Sequence, residues 1–402
     1  MSNSAIKRTH FVVSGTIMML FLGTIYAWSY FKAALGDIFP MWNAKQLSFN
    51  FSIMMILFAM GGLVGGKLTK VIPHRILALI SGGLIFIGFF VISFLPTGNE
   101  SLALILLYVF YGGFTGFGVG IGYNVALSGI TCWFPDKDGF ISGILLTGFG
   151  FSSLIVGNAA DIMLRYMDIF TVFRILGIVC ALAIMGGGLL IHTPDSTVSL
   201  PPAKAKATAE GGLECTTGEM IRRPTFWIYF LWNLCMSATG MLVINNAASI
   251  TLYFGAAATV GLIVSVFNSG GRLAIGLSMD KLGWKATMFI ANGAIILAGV
   301  LMTLGNSLGA FPLVFVGMLM AGVCYGGGVT IQASLVRSFY GSRNYAVNFS
   351  TCNLVSIPAA LIGPMISAAL IDAAGGAFGT TFIMVIVMGC ISLALNFLIR
   401  KP

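Results

Sequence analysis

Apolar runs of about 20 residues recur along the whole of this 402-residue chain. Each run is long enough, as a helix, to cross a hydrocarbon core of about 30 Å. Barrel strands would instead read as alternating segments of about ten residues. Only 8% of the residues are charged and 58% are hydrophobic, whereas soluble domains are about 25% charged. The chain is therefore expected to be an all-α polytopic membrane protein, and a soluble globular fold is excluded.

The apolar runs predict twelve transmembrane helices. A polar stretch, 192–223, divides them into two six-helix halves, 1–191 and 224–402. The halves are weakly similar, because the fourth and tenth spans are both rich in glycine and each carries a tyrosine. Two repeated halves joined by a linker are typical of transporters whose site lies at the repeat interface near the midplane. The approximate limits of the spans are 11–31, 48–68, 76–95, 101–131, 140–162, 171–191, 225–250, 256–279, 286–305, 311–338, 346–371 and 378–400.

Lysine and arginine are distributed unequally between the two sides of these spans. One side holds sixteen of them, the other holds four, and Arg272 lies within a span, which accounts for all 21. The positive-inside rule then predicts that both termini and the linker are cytoplasmic. We expect the protein in the plasma (inner) membrane, in contact with lipid and acting as a monomer. The net charge of +9 reflects this topology and does not predict nucleic-acid binding, because the basic residues are spread over many loops.

The chain lacks the motifs of enzymes and of cofactor sites. We find no Walker loop, no hydrolase elbow, no HExxH and no CxxC, and the seven cysteines are scattered. The glycine-rich segments lie inside membrane spans, where a dinucleotide loop would not form. We therefore predict no cofactor, no metal site and no enzymatic activity.

Arg272 is the one ionisable residue that falls well inside a predicted span. It lies eight residues, or about 12 Å, before Asp280 at the cytoplasmic end of the eighth span, which places it close to the midplane. A charge at a helix centre costs at least about 2.5–3.5 kcal/mol, and all twelve acidic residues fall in loops or at span ends. An anionic ligand held by the guanidinium fork would offset this cost. The alternative is a structural arginine bonded to helix carbonyls and hydroxyls.

Further polar side chains within the spans are weaker candidates for the same site. Asn268 lies one turn before Arg272 on the same helix face, and Tyr26, Tyr123 and Tyr325 lie in mid-span, away from the interfacial belt. Their hydroxyl groups suit a carboxylate, although a tyrosine bonded to a carbonyl in the core is the alternative. Asn124 is a candidate for which interhelical bonding is at least as reasonable.

Two cytoplasmic loops carry related motifs. The loop after the eighth span reads Gly276-Leu-Ser-Met-Asp280-Lys281-Leu-Gly283, which resembles the GxxxDKxG loop of the major facilitator superfamily. The loop after the second span keeps Gly66 and Arg75 but has Lys70 where the superfamily has aspartate. The resemblance implies the twelve-helix fold of that superfamily and a gating role for Gly276, Asp280, Lys281 and Arg75.

Within the superfamily, the chain resembles the group of oxalate:formate antiporters and monocarboxylate transporters. The resemblance extends from the first span to the eleventh. It includes Asp136 and Lys137 as further loop residues. The matching segments are Tyr26-Ala-Trp28, Gly118-Val-Gly-Ile-Gly-Tyr123, Trp133-Phe-Pro-Asp136-Lys137, Asn268-Ser-Gly-Gly-Arg272 and Arg343-Asn-Tyr345.

This resemblance implies a substrate arginine at Arg272 and an aromatic cage at Tyr26, Tyr123, Tyr325 and Phe349. Cys352 stands where the oxalate carrier has a second cation, a lysine. With one fixed positive charge, a monoanion such as lactate, pyruvate, acetate or formate is expected rather than a dianion.

We therefore hypothesise a secondary transporter of small monocarboxylates that works by alternating access. Protons are a candidate coupling ion, although Asn268 stands where the proton-linked carriers have an aspartate. An oxalate/formate-type exchanger is the alternative within the transporter class. A carboxylate sensor that does not transport is a third reading, for which the linker is too short to hold a signalling domain.

Overall fold

A computed structural model describes residues 3–42, 44–191, 194, 213–257, 260–261 and 263–402. All regular structure in these residues is helical, which confirms the predicted all-α fold. Two compact units are formed by the chain: Met1–Pro135 with Gly148–Pro201, and Asp136–Thr147 with Pro202–Pro402. Most of the predicted linker, 192–223, lies outside the described residues. The predicted limits of the two halves stay a prediction.

The described residues before the linker form eight α-helices, of which the seventh contributes its first turns to the second unit and its remainder to the first. They are α1 (Asn3–Leu22), α2 (Trp28–Ile38), α3 (Ala44–Leu68), α4 (His74–Ile92), α5 (Glu100–Leu106), α6 (Gly116–Thr131), α7 (Asp138–Leu164) and α8 (Ile169–Leu190).

Among the described residues from Leu213 onward there are eight further α-helices, all in the second unit, and the first of them lies within the linker. They are α9 (Thr217–Ile221), α10 (Pro224–Tyr253), α11 (Ile263–Leu282), α12 (Trp284–Leu308), α13 (Phe311–Tyr340), α14 (Tyr345–Asn353), α15 (Ser356–Ala373) and α16 (Gly379–Leu398).

Eleven helical runs in the described residues are long and apolar enough to cross a membrane. The remaining predicted span is α11, a 20-residue helix. It carries three charged residues, Arg272, Asp280 and Lys281. The predicted span that is not among these eleven is thus the one that carries the candidate binding residue.

Among the described residues, the first, fourth and eleventh predicted spans depart from regular α-helix. The first span changes to a 3₁₀ stretch at Gly23–Ala27, which contains Tyr26. The fourth changes to a π-helix at Leu107–Thr115, and the eleventh is divided between α14 and α15. Such irregularities often occur at functional sites, and within a bilayer they are tolerated where the backbone is covered by protein or faces a cavity.

The same helix pairings recur in both units. In the first unit α3 packs on α6, and α4 packs on α6 and α8. In the second unit α11 packs on α13, and α12 packs on α13 and α16. These are the second, third, fourth and sixth spans of each half, so the predicted internal repeat is confirmed at the level of packing.

Glycines line the equivalent close contact in each unit. In the first unit, a Cβ at Gly116 would lie 2.6 Å from the carbonyl oxygen of Met54, and Gly120 faces the backbone of Phe58. In the second unit, a Cβ at Gly322 would lie 2.8 Å from the carbonyl oxygen of Val264. Small residues let helix backbones approach closely in lipid, where no hydrophobic effect drives association. This explains why the fourth and tenth spans are rich in glycine.

The end of the linker is fastened to the second unit. The Glu214 carboxylate accepts hydrogen bonds from the main-chain N–H groups of Ser342, at 3.1 Å, and of Arg343, at 2.9 Å. The Cys215 carbonyl accepts from the side-chain amides of Asn344 and Asn348, at 3.0 and 3.1 Å. We call this set of contacts the linker clasp. It holds the chain against the turn between α13 and α14.

We expect Gly120→Ala to destabilise the protein, because its methyl group would overlap the Phe58 carbonyl in the α3–α6 contact. Overpacking of this kind costs about 1–3 kcal/mol and should lower the thermal midpoint in detergent by about 5 °C. Gly186→Ala in α8 is the control, since a Cβ there meets no atom within 4 Å. Equal midpoints for the two variants would contradict this account of the contact.

Candidate functional site

Arg272 lies on α11 with only 2% of its surface exposed. Its Nη1 donates a 2.6 Å hydrogen bond to the main-chain carbonyl of Leu146, in the part of α7 that belongs to the second unit. The Arg272 carbonyl in turn accepts from Thr330 Oγ1 of α13 at 3.1 Å. The cation predicted from the sequence is therefore buried, and two neighbouring helices hold its side chain and its backbone.

Asn268 lies one turn before Arg272 and is half-buried. Its Oδ1 is buried and, among the described residues, has no hydrogen-bond partner. Gly326 of α13 lies against the Asn268 backbone, and a Cβ there would be 2.6 Å from Asn268 Oδ1. A buried carbonyl oxygen without a donor is rare and carries a desolvation cost. Asn268 is therefore positioned to accept a hydrogen bond from a hydroxyl group or a protonated ligand.

The other predicted residues of the second unit lie on α13 and α14. Tyr325 is half-buried, and its ring packs against Gly240 of α10. Phe349 is buried and stacks on Tyr345, with 5.7 Å between ring centroids. Cys352 is buried at 1% exposure. The structure therefore supplies two aromatic rings and an uncharged thiol at the positions named from the resemblance.

In the first unit, Tyr26 and Tyr123 meet in one aromatic cluster. Both pack edge-on to Phe149, with ring centroids 5.5 and 5.0 Å apart, and Tyr123 also packs against Phe58 at 5.3 Å. Tyr26 is half-buried and Tyr123 is 4% exposed. Sequence reasoning missed Phe58 and Phe149, because nothing distinguishes them from the other 30 phenylalanines of the chain.

Asn124 has an interhelical role in the structure. Its Nδ2 donates to the Gly62 carbonyl of α3 at 3.2 Å, and the residue is 1% exposed. This bond joins α6 to α3 beside their glycine contact. It matches the alternative of interhelical bonding that the sequence left open for this residue.

Asp280, from the loop motif, binds the beginning of α7. Its two carboxylate oxygens accept from the main-chain N–H groups of Gly139, at 3.1 Å, and Phe140, at 2.9 Å. The first N–H groups of a helix have no partner within the helix and carry partial positive charge, so a carboxylate is favoured there. Gly276 makes this approach possible, because it lies against the Gly139 backbone.

The remaining loop residues lie close to the helix ends. Lys281 is exposed in the last turn of α11, and Arg75 is exposed in the first turn of α4. Asp136 is half-buried and Lys137 is exposed, just before α7 begins.

An ion pair that sequence reasoning missed lies near the same end of α7. Asp138 and Arg337 approach to 2.9 Å between Oδ1 and Nε, with side chains 13% and 16% exposed. The Arg337 guanidinium also lies 4.2 Å from the centroid of the Tyr345 ring. The two charges are 199 positions apart in the sequence and belong to no shared motif, so only the fold reveals the pair.

We expect Arg337→Gln to destabilise the protein by about 3 kcal/mol, because it leaves the Asp138 carboxylate poorly solvated and without this partner. The double variant Asp138→Asn with Arg337→Gln should recover most of the loss, since it removes both charges. Thermal midpoints for the two single variants and the double variant form a double-mutant cycle. Strictly additive losses would contradict a direct interaction between the two side chains.

The chain is similar in sequence to several known transporters. Residues 10–360 match the family model described as Major Facilitator Superfamily. The chain is 28% identical to an uncharacterized MFS-type transporter of Escherichia coli, over 88% of this chain and 86% of that protein. It is 25% identical to the oxalate:formate antiporter of Oxalobacter formigenes, over 96% and 90%. It is 23% identical to apicoplast pyruvate carrier 1 of Toxoplasma gondii, over 69% and 61%.

Solved structures show the same fold. The proton:xylose symporter XylE superposes with a TM-score of 0.74 at 15% identity, covering 99% of this chain and 97% of that one. The Escherichia coli fucose:proton symporter FucP superposes with a TM-score of 0.63 at 13% identity, covering 96% and 98%. With the family model spanning most of its length, the chain belongs to the major facilitator superfamily and is a multi-pass membrane transporter.

Proposed function

We propose that this transporter carries small monocarboxylate anions by alternating access, with Arg272 as the residue that binds the substrate carboxylate. The observation that carries the proposal is the burial of this one guanidinium deep in α11. An anion offsets the cost of a buried cation, and the guanidinium fork matches the two oxygens of a carboxylate.

The relatives support a carboxylate as the substrate class. Two of them are named for such cargo, one for oxalate and formate and one for pyruvate. Cys352 is uncharged, so Arg272 has no second cation at the position where the resemblance implies a lysine. A single positive charge favours a monoanion over a dianion. Protons are the proposed coupling ion, and the proposed setting is the plasma (inner) membrane, with a monomer whose two termini are cytoplasmic.

An exchanger of oxalate for formate is the second candidate. The observation in its favour is the similarity to the oxalate:formate antiporter, whose alignment covers 96% of this chain. The two candidates differ in whether a dianion competes for the binding residue, so inhibition by a panel of carboxylates separates them.

We expect Arg272→Ala to lower pyruvate uptake by at least about 100-fold, because removing one partner of a desolvated charge pair costs several kcal/mol. Arg272→Lys should also fail, since an ammonium group cannot form the bidentate contact. Uptake of radiolabelled pyruvate into proteoliposomes measures both effects. Arg222→Ala is the control, because that arginine is exposed just after the end of α9. Wild-type uptake by either Arg272 variant would overturn the assignment.

In the wild-type protein, formate, acetate and lactate should inhibit labelled pyruvate uptake at concentrations at which oxalate and succinate do not. The physical reason is the single fixed charge at Arg272. The assay is run with and without a pH gradient, which also tests proton coupling. Inhibition by oxalate as strong as that by formate would favour the exchanger instead.

A further inference from the structure

The contact between α7 and α11 presents a main-chain acceptor to Arg272. The Leu146 carbonyl accepts from Arg272 Nη1 at 2.6 Å. One residue further along α7, Thr147 Oγ1 donates to the Ser269 carbonyl at 3.0 Å. Gly143 lies one turn earlier on α7, where a Cβ would be 2.8 Å from the Arg272 carbonyl oxygen. The backbones of α7 and α11 are therefore in close contact both at Gly143, one turn before Leu146, and at Thr147, just after it.

Leu146 and Arg272 lie at the same distance, eight residues, from the point where α7 and α11 meet at Asp280. Leu146 lies eight residues after Asp138, where α7 begins, and Arg272 lies eight residues before Asp280, whose carboxylate binds that same beginning of α7. Eight residues of helix span about 12 Å. The carbonyl and the guanidinium thus meet about two turns inside the span, where solvation by water is weakest.

A helix carbonyl is a suitable partner for a buried cation. It has two lone pairs, so it can accept from a guanidinium while it keeps its helical hydrogen bond. Bonds with a charged donor are shorter and about twice as strong as neutral ones. Because the acceptor belongs to the backbone of α7, it needs no side-chain rearrangement to bond the guanidinium once an anion has left.

On the basis of the proposed function, we propose that the Leu146 carbonyl acts as the partner of Arg272 after the carboxylate leaves, so that the empty carrier returns and the protein performs net transport. A guanidinium without any partner at this depth would slow the return of the empty carrier by about 100-fold or more. Such a protein would be restricted to exchange. The Leu146 contact removes much of that barrier, and net efflux then proceeds at a rate comparable with exchange.

The first test uses the wild-type protein in proteoliposomes loaded with radiolabelled pyruvate. Efflux is measured into buffer without carboxylate and into buffer with excess unlabelled pyruvate, after subtraction of leakage from protein-free vesicles. We expect the two rates to agree within about tenfold. Exchange with net efflux at least about 100-fold slower would overturn the inference and leave the proposed function standing. Absence of both activities would overturn the proposed function and the inference with it.

The second test uses two matched variants. Each adds one methyl group to the contact between α7 and α11, but at a different position along it. Gly143→Ala introduces a methyl group beside Arg272, whereas Gly276→Ala introduces one against the Gly139 backbone, near Asp280. We expect Gly143→Ala to lower the ratio of net efflux to exchange by about tenfold, and Gly276→Ala to change both rates together. Equal ratios in the two variants would overturn the role of Leu146. If Gly143→Ala does not fold, the wild-type ratio still decides.

Discussion

The hydrocarbon core of a bilayer offers no hydrogen-bond partners to a protein, and the structure of the spans depends on this constraint. Each main-chain polar group within the spans must find its partner inside the protein. Main-chain groups do so by forming helices, and the helices then associate through close packing rather than through the hydrophobic effect. The glycine contacts between α3 and α6 and between α11 and α13 are the result. They bring backbones close enough for side chains such as Asn124 and Thr330 to bond the carbonyls of a neighbouring helix.

Four charged side chains of the second unit also have partners within the protein, and these interactions are stronger than neutral hydrogen bonds. Arg272 bonds a helix carbonyl, Asp280 binds the beginning of a helix, and Asp138 pairs with Arg337. Each charge is held by a group of opposite sign, whether a full charge or a main-chain dipole. Two of these three interactions use the backbone of α7 as the partner. Three main-chain groups of α7, the Leu146 carbonyl and the N–H groups of Gly139 and Phe140, therefore bind two of these charged side chains.

Hydrophobic run length predicts the helical architecture, and the glycine and tyrosine content of the fourth and tenth spans predicts the internal repeat. The spacing between Arg272 and Asp280 predicts the buried position of Arg272. The partners of the charged residues could not be predicted. Asp280 lies about 140 positions from the N–H groups it binds, and main-chain donors leave no signature in the residue types. The 3₁₀ geometry around Tyr26 was missed for a similar reason, because tertiary packing decides it rather than local sequence. The contacts of Asn348 were also beyond sequence reasoning: its amide donates to the Cys215 carbonyl in the linker clasp, and its Oδ1 accepts from Thr217 Oγ1.

The linker clasp has a consequence for how the chain can be divided. Glu214 and Cys215 belong by their hydrogen bonds to the second unit, although by sequence they lie within the polar linker. A split version of this protein, made as two fragments for reassembly in the membrane, should therefore be cut before Leu213. A cut just ahead of Pro224 would place the Cys215 acceptor on one fragment and the Asn344 and Asn348 amides that it binds on the other. The structural boundary between linker and helical bundle thus lies about ten residues earlier than hydropathy places it.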